Sequence, residues 1–252
     1  LHHDYKRGVN SGYAKFDTFR MWDLPKDHKV NIAYEAATAD LGDECMIDPY
    51  HLAAYDVETT SYTRDVEAFK LLKTIVNKIT GDESIYKSPT DMGVNRISAG
   101  IIDDKTCSDA AYQEIIRRHL RSFVEYAHGQ INQPALNRYA VIMDKVSAKD
   151  EDRTVVEPAR IAAKQAKEEG KGYKGVFCGA AIQLKDGTII TGKNSNLLHA
   201  SSAMILNAIK HLAGIPDNLI PLPENIIDSV THLTEETLDG KNTSLDVEAT
   251  LV

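Results

Sequence analysis

The spacing of apolar positions changes character along the chain, and those changes divide it. Up to about residue 100, short strand-like and helical pieces alternate. GYAKFDTFRMW (12–22) is aromatic-rich and runs into Asp23-Leu24-Pro25, the pattern of a strand entering a loop. Asn31 is placed to cap a small-residue helix, IAYEAATADL, that Gly42 stops. Asp48-Pro49 pairs an N-cap with a proline at the first helical position and opens YHLAAY. Thr63 opens a longer helix with Val66, Phe69, Leu72, Val76 and Ile79 on one face and Gly81 at its end.

From Ser108 to Gly170 the period is helical. Ser108 is the expected cap of a helix that turns Tyr112, Ile115, Ile116, Phe123 and Val124 inward and stops at Gly129. A second helix, about Pro134 to Ser147, buries Leu136, Tyr139, Met143 and Val146. A third, Ala159 to Glu169, is rich in Ala and Lys and reads as largely solvated. EEGKGYKG (168–175) is charged and glycine-rich where the period turns from helix to strand, so it reads as a linker.

Beyond it, an apolar strand Val176–Leu184 and a second, Thr188–Thr191, flank Asp186-Gly187, which favours a type I′ hairpin turn. A polar loop then leads to a helix from about Ser201 to Ala213, ended by Gly214 and Pro216. Ile205, Leu206, Ile209 and Leu212 are expected on the sheet. Hairpin, loop and helix in this order resemble the opening of the cytidine deaminase fold. There an H-x-E or C-x-E triplet supplies a zinc ligand and the proton-shuttling glutamate. Here the triplet is His199-Ala200-Ser201, and no cysteine follows Cys178, so the scaffold is expected without catalytic zinc. Ser201 and Ser202 then read as N-caps.

Composition narrows the class. A formal net charge of −8 argues against a surface that coats nucleic acid. No apolar run is long enough to span a bilayer. Cys45, Cys107 and Cys178 are odd in number and far apart, which suits reduced thiols in a cytosol. Leu1 and the EATLV ending both read as cuts through a longer polypeptide.

Several stretches, KRGVNSGYAKFDTF, VNIAYEAATADL, MIDPYHL, YKSPTDMGVN, QEIIRR and DGTIITGKNSNLLHASSAMILNAIKHLAG, resemble one uncharacterised bacterial family. It is catalogued as domain of unknown function eighteen forty-six. The resemblance covers nearly the whole chain and implies a longer protein in three parts. Those are an N-terminal α/β part, a helical middle and a C-terminal α/β part of deaminase-like topology. It also implies a glycine-rich, P-loop-like turn just before this segment, with Leu1–Gly8 finishing the helix after it. No activity or cofactor comes with the resemblance.

The sharpest candidate chemistry is the turn Tyr86–Asn95. Lys87 offers a counter-charge and Ser88 and Thr90 offer donors. Asp91 could hold a metal or take a proton, Gly93 allows close backbone approach, and Asn95 could orient a ligand. The plain alternative is a turn followed by a capped helix. Asp40, Asp43, Glu44, Asp48 and His51 around Cys45 match no metal-loop spacing and read as helix capping and a solvated acidic turn. Arg117, Arg118 and Arg121 read as a solvated face paired with Glu114 and Glu125.

The expectation is therefore an α/β protein. Residues 1–100 finish a nucleotide-fold-like domain, 101–172 form a helical insert, and 173–252 begin a deaminase-like subdomain without the zinc motif. Its function is expected to be binding or transforming a small phosphate- or carboxylate-bearing molecule in a cleft between α/β parts. Lys87, Ser88, Thr90, Asp91, Gly93 and Asn95 form that site, with no metal, nucleic acid or membrane partner. The alternative is a non-catalytic assembly or regulatory protein on a degenerate deaminase-like scaffold. Catalysis, cofactor and self-association are left open.

Overall fold

Helix-favouring periods dominate the sequence, and the computed structural model is a mixed helix–strand protein with two small sheets. It describes residues 2–11, 21–94, 97–219, 222–233, 236 and 244–251. The contacts divide the chain into two units, Leu1–Lys149 and Asp150–Val252. Most of the strand read over 12–22 lies outside the described residues. Among the described residues, no helix is long and apolar enough to cross a membrane.

In the first unit, α1 (His2–Lys6), α2 (Lys29–Ala37), β1 (Cys45–Ile47), α3 (Pro49–Tyr55), β2 (Thr60–Tyr62) and α4 (Thr63–Thr80) come first. The short α5 (Pro89–Met92) and the long α6 (Asp104–Ala127) and α7 (Gln133–Lys145) follow. β1 and β2 are antiparallel, with Cys45 opposite Tyr62 and Ile47 opposite Thr60. The core joins Ile32 and Ala36 of α2 to Ile115 and Ile116 of α6 and to Tyr139, Ile142 and Met143 of α7. Full burial of side chains of this size stabilises by roughly 1.5–3 kcal/mol each. Glu35, 1% exposed on the same helix, is held by Arg138 and Lys145 from α7, which keeps a buried carboxylate from being left unpaired.

Several caps differ from expectation. His28, not Asn31, caps α2, its Nδ1 accepting from the Val30 N–H at 3.2 Å. Asn31 is fully buried and turns back to bond Met21, Leu24 and Pro25. Asp103 caps α6 five residues before Ser108, and Phe123 and Val124 are exposed. On α4, Phe69 is buried but Leu72 and Ile79 face outward. Periodicity identifies an apolar face without saying whether anything covers it.

The second unit contains α8 (Val156–Glu168), β3 (Gly179–Gln183), β4 (Ile189–Lys193), α9 (Ala200–Ala213), α10 (Glu224–His232) and α11 (Val247–Leu251). β3 and β4 pair antiparallel as expected. Their turn differs. Gly187 N–H donates to the Leu184 carbonyl, Leu184 N–H donates to the Thr188 carbonyl, and among the loop residues only Gly187 has a positive φ, at 89°. That is the three-residue loop in which a type I turn ends on one left-handed residue, not a two-residue type I′ loop.

Helices cover both faces of this hairpin through its glycines. Gly179 and Gly192 sit one register step apart on neighbouring strands, so side chains there would point to opposite faces. A Cβ on Gly179 would lie 2.1 Å from the Ala159 carbonyl oxygen of α8, and one on Gly192 would lie 2.2 Å from the Met204 nitrogen of α9. Ala162 and Ala166 accordingly point into the unit, so α8 is not a solvated helix. On α9 the buried positions are Ala200, Ser202, Ala208 and Lys210, whereas Ile209 and Leu212 are exposed. Ile205 and Leu206 are half-buried, so the expected apolar face is covered in part. Gly192→Ala is expected to destabilise the second unit by about 1–3 kcal/mol or more, as overpacking does. Thermal unfolding followed by circular dichroism checks this against Gly100→Ala, whose added methyl meets nothing within 4 Å.

Candidate functional site

The structure brings two proline-marked helix starts together. Asp48 caps α3 ahead of Pro49, and Ser88 caps α5 ahead of Pro89. Asp48 is fully buried, and its carboxylate accepts four hydrogen bonds. Oδ1 takes the N–H groups of Tyr50 and His51, each at 3.0 Å. Oδ2 takes the Thr90 N–H at 3.1 Å and the Thr90 hydroxyl at 2.7 Å. One carboxylate thus caps its own helix and fastens the 87–93 turn to it. The Thr59 and Thr90 hydroxyls lie 2.9 Å apart, and since Thr90 spends its hydrogen on Asp48, Thr59 is left to donate.

The turn is closed by a capping box. Ser88 Oγ accepts from the Asp91 N–H at 3.1 Å, and Asp91 Oδ2 accepts from the Ser88 N–H at 3.1 Å. Asp91 Oδ2 also accepts from the Lys87 N–H at 2.8 Å and from the Tyr55 hydroxyl at 3.0 Å. His51 Nδ1 lies 2.9 Å from Ser88 Oγ and 3.8 Å from Asp91 Oδ1. Partial desolvation, and then the Asp91 carboxylate it donates to, hold the Tyr55 phenol above its ordinary value, so it remains a donor.

These bonds sort the sequence candidates. Ser88 and Thr90 are buried, with hydroxyls engaged inside the knot. Asp91 accepts from three donors at its rim. Gly93 is extended at φ 162°, a conformation any residue adopts, and a Cβ there would meet nothing within 4 Å. Asn95 lies outside the described residues. Lys87 is exposed, and its ammonium sits 5.4 Å over the Tyr55 ring centroid, within cation–π range. His51 and Tyr55 are partners of this turn that the sequence candidates do not include. The signal was their position one and two turns after a capped start, which sets both rings on one side of α3.

The other clusters resolve into structural pairs. Asp48 caps α3 and Asp40 and Glu44 are exposed, as the capping and solvated-turn reading expects, but Asp43 is buried and faces Arg64 at 3.3 Å. Among the described residues, no three His, Cys, Asp or Glu side chains gather as a metal would need. Arg117 and Arg118 pair with Glu114, and Arg121 pairs with Glu125, as helical spacing predicts. Arg117 holds the Glu114 carboxyl below its ordinary value. His199 precedes α9 as its N-cap without a side-chain cap bond, and Ser202 is no cap either: its hydroxyl donates to the Leu245 carbonyl at 2.9 Å.

The Asp48 knot makes a direct prediction. Asp48→Asn preserves volume but sets an NH₂ group against one of the N–H donors, leaving buried groups unpaired. The expected loss is about 3 kcal/mol of stability in the first unit, near the upper end for an unsatisfied buried group. Urea denaturation of both proteins measures it, and a loss within a few tenths of a kcal/mol of zero would remove Asp48 from this role.

A mixed helix–strand protein in two units, with its polar knot in the first, matches two family profiles in tandem. The Domain of unknown function DUF1846, N-terminal, matches residues 1–147, and the C-terminal DUF1846 domain matches residues 151–252. The chain belongs to this family. UPF0371 proteins of Clostridium botulinum (strain Langeland) and Clostridium tetani are each 46% identical to it over 253 residues, covering 100% of this chain and 50% of their own length. The UPF0371 protein of Clostridioides difficile (strain 630) is 46% identical over 252 residues with the same coverage. The chain thus spans about half the length of these relatives.

Proposed function

We propose that the first unit binds a small molecule carrying phosphate or carboxylate against the knot of α3 and the 87–93 turn, with Lys87 as its counter-charge. One observation carries this reading. Among the described residues no carboxylate pairs with the Lys87 ammonium, and the adjacent Asp91 already accepts three hydrogen bonds on Oδ2. A cation held over an aromatic ring beside a rigid turn is preorganised for an incoming anion, because little ordering remains to be done on binding. Thr90 and Ser88 act by fixing the turn rather than by touching the ligand.

The geometry does not suit an acyl-transfer relay. His51 meets both Ser88 and Asp91 through Nδ1, whereas a Ser-His-acid relay uses one ring nitrogen for each partner. Ser88 is also fully buried. A binding role therefore has the better support, in a cytosolic setting and with the chemistry of the longer protein open.

A second reading, a non-catalytic assembly protein, is favoured by α4. Leu71, Ile75 and Ile79 repeat every four residues along one stripe and are 65%, 45% and 54% exposed. The finer fold reading belongs with it. We read 173–252 as the opening of a degenerate deaminase-like layer, supported by the order β3, β4, α9 and by His199-Ala200-Ser201 at the helix start. Residues 1–100 are read as the remainder of a nucleotide-fold-like part.

Lys87→Ala is expected to weaken binding of the preferred anion by about 1–3 kcal/mol, the worth of a charge-assisted hydrogen bond. The melting temperature without ligand should hardly move. Thermal-shift titrations of both proteins with inorganic phosphate, sugar phosphates, nucleotides and carboxylates check this. Equal stabilisation of both by whichever compound binds would place the site elsewhere.

A further inference from the structure

A separate cavity lies within the second unit, of about 720 Å³, between the outer edge of β4 and the last turn of α9. That volume falls in the range of small-molecule sites, roughly 300–1,000 Å³. Its walls include Ile189, Thr191, Asn207, Lys210, His211 and Ile215. None of these residues was singled out by the sequence chemistry.

Several donors face the cavity, with the Asp217 carboxylate and the Ile189 edge carbonyl beside them as acceptors. Leu184–Thr188 and Cys178–Asn194 bonds set the phase of the β3–β4 ladder. Counting from them, Ile189 and Thr191 occupy the positions whose N–H and C=O groups point away from β3. The Thr191 carbonyl accepts from Asn207 Nδ2 at 2.9 Å, so Asn207 covers the edge acceptor. Among the described residues the Thr191 N–H meets no acceptor, and the Asn207 amide keeps its second hydrogen.

Lys210 supplies the charge. It is 7% exposed, unusual for lysine, and its Nζ donates to the Asp217 backbone carbonyl at 2.6 Å. The Asp217 carboxylate, 3.8 Å away, is fully exposed and so strongly solvated, which makes it a weak neutraliser. An ammonium has three donors, and here one is taken by a neutral carbonyl. A lysine that served only to complement the end of a helix would gain from staying in water, since that interaction needs no burial. This one carries its charge to the cavity wall on a rigid support. Gly214 is left-handed, and the Ile215 N–H donates to the Lys210 carbonyl, closing the turn. Around these donors, Ile190, which shares the α9-facing side of the strand with Gly192, adds apolar surface with Ile215 and Pro216.

We infer that this cavity binds a small aliphatic carboxylate. Its oxygens meet the Lys210 ammonium, with the Asn207 amide and Thr191 N–H beside it, and its hydrocarbon part lies on the isoleucines. This site is independent of the Lys87 turn.

The test is an amide NMR titration of the 252-residue chain with isovalerate, and separately with inorganic phosphate. Saturable shifts with isovalerate at Thr191, Asn207 and His211, with phosphate at least tenfold weaker, are expected. Lys210→Met keeps the buried stem and should weaken isovalerate at least tenfold, as read at Thr191, Asn207 and His211. Should Lys210→Met fail to fold, Asn207→Ala, which removes the amide donor, should weaken isovalerate severalfold. Absence of saturable isovalerate shifts at these residues would overturn the inference. So would phosphate binding equal to isovalerate, or unchanged affinity in the folded variants.

Discussion

A buried carboxylate with four donors is the constraint on which the first unit's site depends. Asp48 is fully out of water, so every bond it accepts is one it cannot exchange for solvent without opening the structure. Two of those donors belong to its own helix and two to Thr90, forty-two residues on. The same group that starts α3 therefore sets where the 87–93 turn lies. Lys87, Tyr55 and His51 acquire their relative positions as a consequence.

The second unit depends on an opposite device, the absence of side chains. Gly179 and Gly192 let two helix backbones lie directly on the two faces of one hairpin. Two isolated strands are marginal in water, and cover on both faces is what makes this pair a stable platform. On α9, Ile209 and Leu212 face outward while Lys210 is buried. A charged side chain is placed where an apolar one would be expected from the helical period.

These two devices explain what the sequence made legible and what it did not. Elements with strong local signals were readable: α3 from Asp48-Pro49, α4 from Thr63 to Gly81, the β3–β4 hairpin, and α9 ending at Gly214. Local signals also described the 87–93 turn correctly as a capped start, since Ser-Pro followed by Asp at the third helical position is a capping box. Long-range use of polar groups was not readable. Nothing near Asn31 says that its amide bonds backwards to Met21 and Pro25, and nothing near Thr90 names Asp48 as its partner. Apolar faces failed in the same way, because Phe123, Val124 and Ile209 satisfy the helical period and yet are exposed. The Ala-rich α8 reads as solvated only until Gly179 is known to face it.

The central claim is that Asp48 holds α3 and the 87–93 turn as one unit, and amide hydrogen exchange at Tyr50, His51 and Thr90 tests it most directly. All three N–H groups end on the same carboxylate. The account predicts that they exchange with closely similar protection in the wild type and that protection at all three falls together in Asp48→Asn. Fast exchange at Thr90 while Tyr50 and His51 stay protected would contradict it, because the turn would then be moving independently of the helix.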